Sequence, residues 1–228
     1  VLSYEDTSAT NGRTYFYGVT ATNGAGEGGM SEIANCTPAW PEHHPACAIT
    51  APVGQYSTTG DIAMTWPMSD LVSGIDFAEV RLDAGAWILK GDATSHVFVG
   101  VPDGAHALGL RVFNNAGYNQ SASHAITVDT VAPTNVANSW TQPDATGTLR
   151  ITFSEAMGSV QGLVDGQPVT FSLDGRNATA MVTLAPGQHN LTMTGTDLAG
   201  NPVEGFAPFQ FSVAEHTVQV SGRVLDEE

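Results

Sequence analysis

Hydrophobic and polar residues alternate with period two along most of the chain. In the segment 61–66 (DIAMTW), Ile62, Met64 and Trp66 fall on one face. Similar alternation recurs in 79–83 (EVRLD), 105–112 (AHALGLRV) and 149–154 (LRITFS). A strand with one buried and one solvated face has this period, whereas helical periodicity is nearly absent. The pattern predicts an all-β chain of tandem antiparallel β-sandwiches, because short strands separated by Gly, Asn, Asp and Pro are typical of that class.

Three segments of the chain repeat one another, and they predict its organisation. They run from 12 to 26, from 104 to 117 and from 187 to 200. Each begins with a turn glycine, continues as an alternating strand, and ends in Asn or Asp, one further residue, and then Ala-Gly. Asn, Asp and Gly tolerate the left-handed backbone of a tight hairpin. His106 and His189 occupy equivalent positions in the last two repeats, which predicts a structural role at a strand corner.

The repeats and the segments around them resemble known extracellular modules. Residues 1–38, through DTSATNGRTYFYGVTATNGAGEGGMSE, resemble the second half of a fibronectin type III domain, with Tyr15 at the corner. Residues 47–132, through GDIAMTW and VPDGAHALGLRVFNNAG, resemble a prokaryotic Ig-like repeat. Residues 133–214, through RITFSEAM and TGTDLAGNPV, resemble the Ig-like domain of bacterial and archaeal S-layer proteins. Residues 39–46 form the junction between the first two modules, and HTVQVSGRVL within 215–228 resembles the first strand of a following module.

The resemblance implies a function without catalysis. A tandem of such modules is expected to be a stalk or spacer of a large secreted or cell-surface protein, where it holds or displays other domains. Its expected partners are neighbouring modules of the same parent chain or neighbouring copies in a surface assembly, with a glycan as a further possibility. An adhesin or carbohydrate-binding array and an accessory region of a secreted hydrolase remain as alternatives.

Both ends of the array are expected to be incomplete modules. Three strands cannot bury a sandwich core, so either the chain is a fragment or another chain completes the ends. The second alternative is strand donation, in which residues 217–225, with Val218, Val220 and Val224, would enter the open first module of a neighbour. Such contacts do not close, and the product would be a self-assembling fibre or S-layer subunit.

Charge narrows the choice of partners. The 228 residues carry 7 Lys and Arg against 23 Asp and Glu, a formal net charge of −16. Nucleic acids and anionic membranes are poor partners for such a chain, because binding phosphate requires a basic face. No apolar run approaches the ~18 residues of a membrane helix, and VLSYEDTSAT at the start has no signal-peptide features.

Two cysteines flank the junction between the first two modules. Cys36 and Cys47 enclose ten residues, and an even count in an apparently extracellular chain predicts one disulfide. A zinc site is the alternative, because His43 and His44 lie beside the two thiols. Adjacent histidines rarely both face one metal, so the disulfide is favoured.

Four sequons are candidate glycosylation sites. They begin at Asn35, Asn119, Asn177 and Asn190. Asn177 is the better acceptor because it follows a turn, whereas Asn190 falls on a predicted strand. An ordinary polar residue on a strand is an equally good interpretation of each site.

No cofactor is predicted apart from a weak calcium candidate. Asp70, Asp76, Asp103 and Asp129 fall in or near predicted loops of the second module, and calcium requires six to eight oxygen ligands. No EF-hand loop is present. The favoured interpretation is that these side chains cap backbone amides in turns.

The remaining chemistry does not predict an enzyme. No nucleophile, metalloprotease or phosphate-binding motif is present, and Glu155 in the SEAM segment is a carboxylate without a predicted partner. Trp66 is predicted to be core, and Trp87 core or edge. Trp40 and Trp140 fall at predicted junctions, where an aromatic side chain is expected to pack two modules together rather than to bind glycan.

Overall fold

The computed structural model describes residues 3–142 and 146–215. The described residues form strands and turns, and none of them belongs to a helix that could cross a membrane. The predicted strand of a following module, with Val218, Val220 and Val224, lies outside the described residues. The all-β class predicted from period-two alternation is confirmed.

The first predicted module has short strands. They are β1 (Tyr15–Tyr17), β2 (Thr22–Asn23), β3 (Gly26–Glu27) and β4 (Ala34–Cys36). β1 pairs with β4 and β2 with β3, both antiparallel. Buried hydrophobic residues among the described positions begin only at Ile62. Residues 3–38 therefore contribute no fully buried apolar side chain, as expected for strands without a second sheet.

The second predicted module contains the next nine strands. They are β5 (Ala46–Cys47), β6 (Tyr56–Ser57), β7 (Ile62–Thr65), β8 (Met68–Ser69), β9 (Ile75–Leu82), β10 (Ile88–Gly91), β11 (Ser95–Phe98), β12 (Gly104–Asn114) and β13 (Asn119–Val128). One sheet has the order β10-β9-β12-β13-β6, and two further pairs are β11-β7 and β5-β8. The alternation predicted for 61–66 is confirmed, because Ile62, Met64 and Trp66 are each at most 2% exposed.

The third predicted module is a two-sheet sandwich. Its strands are β14 (Asn135–Thr141), β15 (Gly147–Phe153), β16 (Met157–Val164), β17 (Gln167–Val169), β18 (Ser172–Asp174), β19 (Asn177–Val182), β20 (Gly187–Asp197) and β21 (Phe209–Val213). The two sheets have the orders β14-β15-β19-β18 and β17-β16-β20-β21. Leu149, Ile151 and Phe153 of one sheet and Leu191 and Phe211 of the other belong to one buried core. Period-two strands pack in this way when each sheet has one apolar face.

The chain divides into two compact units that do not follow the predicted modules. One unit comprises 1–53, 63–97 and 107–125, and the other comprises 54–62, 98–106 and 126–228. Parts of the predicted second module thus cluster with the third. The boundaries 1–38, 39–46, 47–132, 133–214 and 215–228 stay predictions.

The repeated segments share the local structure that their sequences predicted. Gly104 and Gly187 open β12 and β20 with φ of 137° and 142°, a region that L side chains rarely adopt. His106 Nε2 lies 2.9 Å from the carbonyl oxygen of Pro102, and His189 Nε2 lies 2.8 Å from that of Ala185. In both repeats a histidine therefore contacts the carbonyl four residues earlier, as a corner residue would.

The predicted disulfide is not formed in the structure. Cys36 and Cys47 are both free thiols, the first exposed and the second half-buried. Cys36 is paired with Tyr15 across β1 and β4, and Cys47 is paired with Met68 across β5 and β8. The Cys47 thiol donates to the carbonyl oxygen of Gln120 at 3.6 Å. Each cysteine is held by pairing in a different sheet, which explains why their shared position beside one junction did not bring them together.

Candidate functional site

A buried asparagine at the end of β12 ties the second predicted module to the junction that precedes it. Asn114 is 1% exposed. Its Nδ2 donates to the carbonyl oxygen of His43 at 2.7 Å and to Asp70 Oδ2 at 2.8 Å. Its Oδ1 accepts the backbone N–H of Tyr118 at 2.8 Å, which closes the hairpin turn. One side chain thus satisfies the turn and holds the incoming chain.

The equivalent position of the third predicted module is Asp197, which is 3% exposed. Its Oδ1 accepts the backbone N–H groups of Gly200 and Asn201 at 2.7 and 2.9 Å. Asn201 Nδ2 donates to Asp197 Oδ2 at 2.9 Å and to the carbonyl oxygen of Asp129 at 2.8 Å. Here Asp197 satisfies the turn and Asn201 holds the incoming chain, whereas Asn114 does both. The residue that Asn201 holds, Asp129, again lies where the chain enters the module. We call these two arrangements the linker clamps.

The far end of the third predicted module has a related contact. Gln142 follows β14, and its Oε1 accepts the backbone N–H of Ala214 at 2.9 Å. Its Nε2 donates to the carbonyl oxygen of Ala214 at 3.3 Å. A side-chain amide that bonds both backbone groups of one residue imitates a strand pairing, so the chain is held just after β21.

Three carboxylates meet at the second clamp. Ligand atoms of Asp129, Glu155 and Asp197 all lie within 4.8 Å of one another. Asp129 and Glu155 are half-buried and Asp197 is buried. The pKa of Glu155 is raised by burial and then by the negative charges of Asp129 and Asp197. The fold thus brings together like charges that repel one another.

The chemistry of this trio suits a hard cation. Carboxylate oxygens are the ligands that calcium and magnesium prefer, and backbone carbonyls commonly complete the shell. Asp129 was among the sequence candidates for calcium, whereas Glu155 and Asp197 were not. The signal that could have found Asp197 is the repeated ending of the three segments, where this position carries Asn in the first two and Asp in the third.

The other calcium candidates have separate roles. Asp70 Oδ1 accepts the backbone N–H groups of Val72 and Ser73, both at 2.8 Å. Its pKa is lowered to about 2, chiefly by the amide of Asn114. Asp103 accepts hydrogen bonds from the backbone N–H and the hydroxyl of Thr130. Asp70 thus caps amides of its own turn, as the favoured interpretation predicted, whereas Asp103 holds a residue 27 positions further along the chain.

Asp76 is the second residue of β9, next to the preceding loop, and is exposed. Within residues 3–142 and 146–215, the trio of Asp129, Glu155 and Asp197 is the one group of three His, Cys, Asp or Glu side chains close enough to share a metal ion. The four predicted aspartates therefore do not converge, because their turns lie at different places in the fold.

The structure does not bring the zinc candidates together within the described residues. His44 Nδ1 lies 2.8 Å from the carbonyl oxygen of Asn119, and its ring packs edge-on against Tyr118. His43 contributes its backbone carbonyl to the first clamp. Among the described residues, no group of three side chains that could share a metal ion contains His43, His44 or either cysteine. Adjacent residues point away from each other in extended chain, which prevents both histidines from facing one ion.

The four glycosylation candidates differ in exposure and in contacts. Asn35 and Asn119 are exposed. Asn177 is half-buried, and its Oδ1 accepts the hydroxyl of Thr152 at 3.0 Å. Asn190 lies on β20, as predicted, and its Oδ1 is buried. The Oδ1 atom of Asn177 is thus engaged across two strands, and glycosylation at each of the four sites stays a prediction.

The four tryptophans lie at different depths. Trp66 is core, at 1% exposure. Trp87 is half-buried, and the guanidinium carbons of Arg81 and Arg111 lie 4.4 and 4.5 Å from its ring centre. Trp40 lines a cavity of about 220 Å³ with Pro38 and Tyr118.

Trp140 was expected to pack two modules together, and this is wrong. It lies within β14 and packs against the core of the third predicted module, with its ring centre 4.8 Å from that of Phe211. Gly147 lies directly beneath the indole ring. The alternation of β14 was too irregular to show that this aromatic residue faces inward.

Comparison with known proteins gives similarity to solved structures only. No protein-family model matches the chain, and no curated protein matches it. The solved structures similar to this chain include fibronectin type III-like modules. The fibronectin(III)-like modules of CbhA from Clostridium thermocellum match at 16% identity and a TM-score of 0.47, covering 77% of this chain and 100% of that one.

Two further solved structures match over shares of longer chains. A 1.5-MDa bacterial ice-binding adhesin matches at 18% identity and a TM-score of 0.37, covering 76% of this chain and 65% of that one. The central fibronectin-III array of RIM-binding protein matches at 17% identity and a TM-score of 0.27, covering 77% and 61%.

Proposed function

We propose that this chain is a non-catalytic structural segment, a stalk or spacer, of a secreted or cell-surface protein, where it holds or displays other domains. The observation that carries the proposal is the pair of linker clamps. The buried side-chain amides of Asn114 and Asn201 each donate a hydrogen bond to a backbone carbonyl in the segment that leads into the module to which the asparagine belongs. A segment that keeps other domains at a set distance needs linkers that are held.

The composition is consistent with this role. The net charge of −16 favours solubility and repels neighbouring copies at low salt. Proline residues occur in both junctions, at Pro38 and Pro41 and again at Pro133. Because proline fixes φ and lacks an N–H group, such a linker is semi-rigid. In each junction, the linker clamp and the nearby proline thus restrict the same short stretch of backbone.

The proposal is tested by measuring the distance between two spin labels across the array. One label is placed on Cys36, which is exposed, and the other on Ser172→Cys in the exposed edge strand β18, with Cys47→Ser to remove the second native thiol. A spacer is expected to give one narrow distance distribution. A broad distribution in the parent chain would refute the proposal.

The clamp variants show whether the proposed mechanism is responsible. Asn114→Ala and Asn201→Ala each remove one contact to an incoming carbonyl and are expected to widen the distribution. Asn119→Ala is the matched control, because this asparagine is exposed at the start of β13. Equal widths for all three variants and the parent would show that the clamps do not hold the linkers.

A further inference from the structure

The corner at His189 places an oxygen acceptor at each nitrogen of the imidazole ring. Nδ1 lies 2.6 Å from Asp165 Oδ2, and Nε2 lies 2.8 Å from the carbonyl oxygen of Ala185. Carboxylate and carbonyl oxygens only accept hydrogen bonds, so both contacts are satisfied only when both ring nitrogens carry a proton. That state is the imidazolium cation.

The carboxylate that faces the ring is itself held in place. Asp165 sits in the turn between β16 and β17 with a φ of 52°. Its N–H donates to the carbonyl oxygen of Asn190 at 2.9 Å, and its Oδ1 accepts the N–H of Asn190 at 2.9 Å. This exchange orients Oδ2 towards His189. The histidine side chain is 12% exposed and the aspartate side chain 47%, so the ring is the shielded member of the pair.

The other neighbours of the ring are uncharged. From β21, Phe211 packs against it with ring centres 5.7 Å apart. From the segment before β20, the ring meets the Ala185 carbonyl, and the flanking positions on β20 itself are Gln188 and Asn190. Among the described residues, Asp165 is the charged group that acts on His189. No cation in that set opposes a positive charge on the ring.

We propose that the His189 corner is a proton-binding site that makes the third sandwich more stable in mildly acidic surroundings than in neutral or alkaline ones. A neutral imidazole has a single N–H group. Loss of the proton therefore breaks one of the two contacts and leaves a nitrogen lone pair opposite an oxygen. The corner joins the β16–β17 turn, the start of β20 and the Phe211 side of the core. Loss of the His189 proton is therefore expected to weaken the packing of the sheet that contains these strands.

The direction of the pH effect follows from linkage. The pKa of His189 is raised, first by its hydrogen bond to Asp165 and then by that to the Ala185 carbonyl. The ordinary value in an unfolded chain is about 6.5. The stabilisation is therefore complete below that value and is lost as the pH rises through the higher pKa of the folded state.

The test is a titration of the histidine rings of the full chain by ¹⁵N NMR. His189 is expected to titrate above the ordinary value and to show protons on both ring nitrogens in the low-pH form. The reference is the ordinary pKa of a histidine side chain, about 6.5. Titration of His189 at or below that value would overturn the proposal, and this measurement uses the unmodified chain.

Two substitutions separate proton binding from a purely structural role. Asp165→Asn retains an acceptor oxygen but removes the charge, so it is expected to lower the pKa of His189 towards the ordinary histidine value. In His189→Gln, the loss of hydrogen-exchange protection along β20 and β21 relative to the parent is expected to be larger at pH 5.5 than at pH 8.5. An equal loss at both pH values would mean that the corner is structural only, and the proposal would fail.

Discussion

Replacing Asn114 by aspartate tests the first linker clamp with a change of one functional group. The buried amide donates to the His43 carbonyl oxygen and to Asp70 Oδ2, and it accepts the Tyr118 N–H. Asn114→Asp keeps the shape and the acceptor for Tyr118. It removes both donors and places a second carboxylate against the first. Asp197 shows that the equivalent turn accepts a carboxylate, but there Asn201 provides the missing donor.

The expected loss of stability is large because the position is only 1% exposed. A buried charge without a compensating partner costs about 3–5 kcal/mol, so we expect a loss of about 3–5 kcal/mol at pH 7. The loss is expected to shrink at pH 5, because a protonated carboxyl at position 114 again donates to Asp70.

The assay is urea unfolding at pH 7 and pH 5, with the unfolding free energy compared between variant and parent. Asn119→Asp is the matched control, because it makes the same change in charge at an exposed position on the next strand. Surface substitutions of this kind stay within about 0.5 kcal/mol. If Asn114→Asp behaved like the control at pH 7, the clamp would not be the buried, donor-dependent contact described here.

Three further predictions concern other sites. Glu155→Gln removes one of three repelling carboxylates and is expected to raise the unfolding free energy at pH 7 but not at pH 4, because a group whose pKa is raised by folding costs stability as the pH rises through that pKa. An unfolding free energy of the variant below that of the parent at pH 7 in calcium would show that a bound cation needs the Glu155 charge. Gly147→Ala forces a methyl group into Trp140 and is expected to cost about 1–3 kcal/mol in thermal unfolding, whereas Gly29→Ala, with open space around it, is the control. Asp70, with its pKa of about 2, is expected to stabilise the fold above pH 4 and to lose that effect as the pH falls towards 2, and an NMR titration with an ordinary midpoint would contradict this.

The strands could be predicted because their signal is local. Alternation in 61–66, 79–83, 105–112 and 149–154 gave strands that the structure contains as β7, β9, β12 and β15. The repeated glycines likewise marked turns, since their positive φ is a property of the residue itself. The equivalence of His106 and His189 came from the same repeat. Each of these inferences needs only neighbours in the chain.

Contacts between distant residues could not be predicted in this way. Cys36 and Cys47 are close in sequence, but pairing in two different sheets determined where their thiols lie. Asn177 follows a turn, but Thr152 on the paired strand occupies its side chain. Trp140 stands in a segment with a weak pattern, and only the packing of the two sheets shows that it faces the core.

The sequence by itself thus determined the class of fold, the strands and turns, and the repeated Asn or Asp that ends each hairpin. Only the tertiary structure decided what those repeated residues contact. Asn114 and Asp197 occupy equivalent turns, yet one meets a single carboxylate and the other meets two. The physical reason is that a turn is specified by its own few residues, whereas burial, charge pairing and hydrogen bonding across about 70 residues of chain depend on which strands pair and which faces meet.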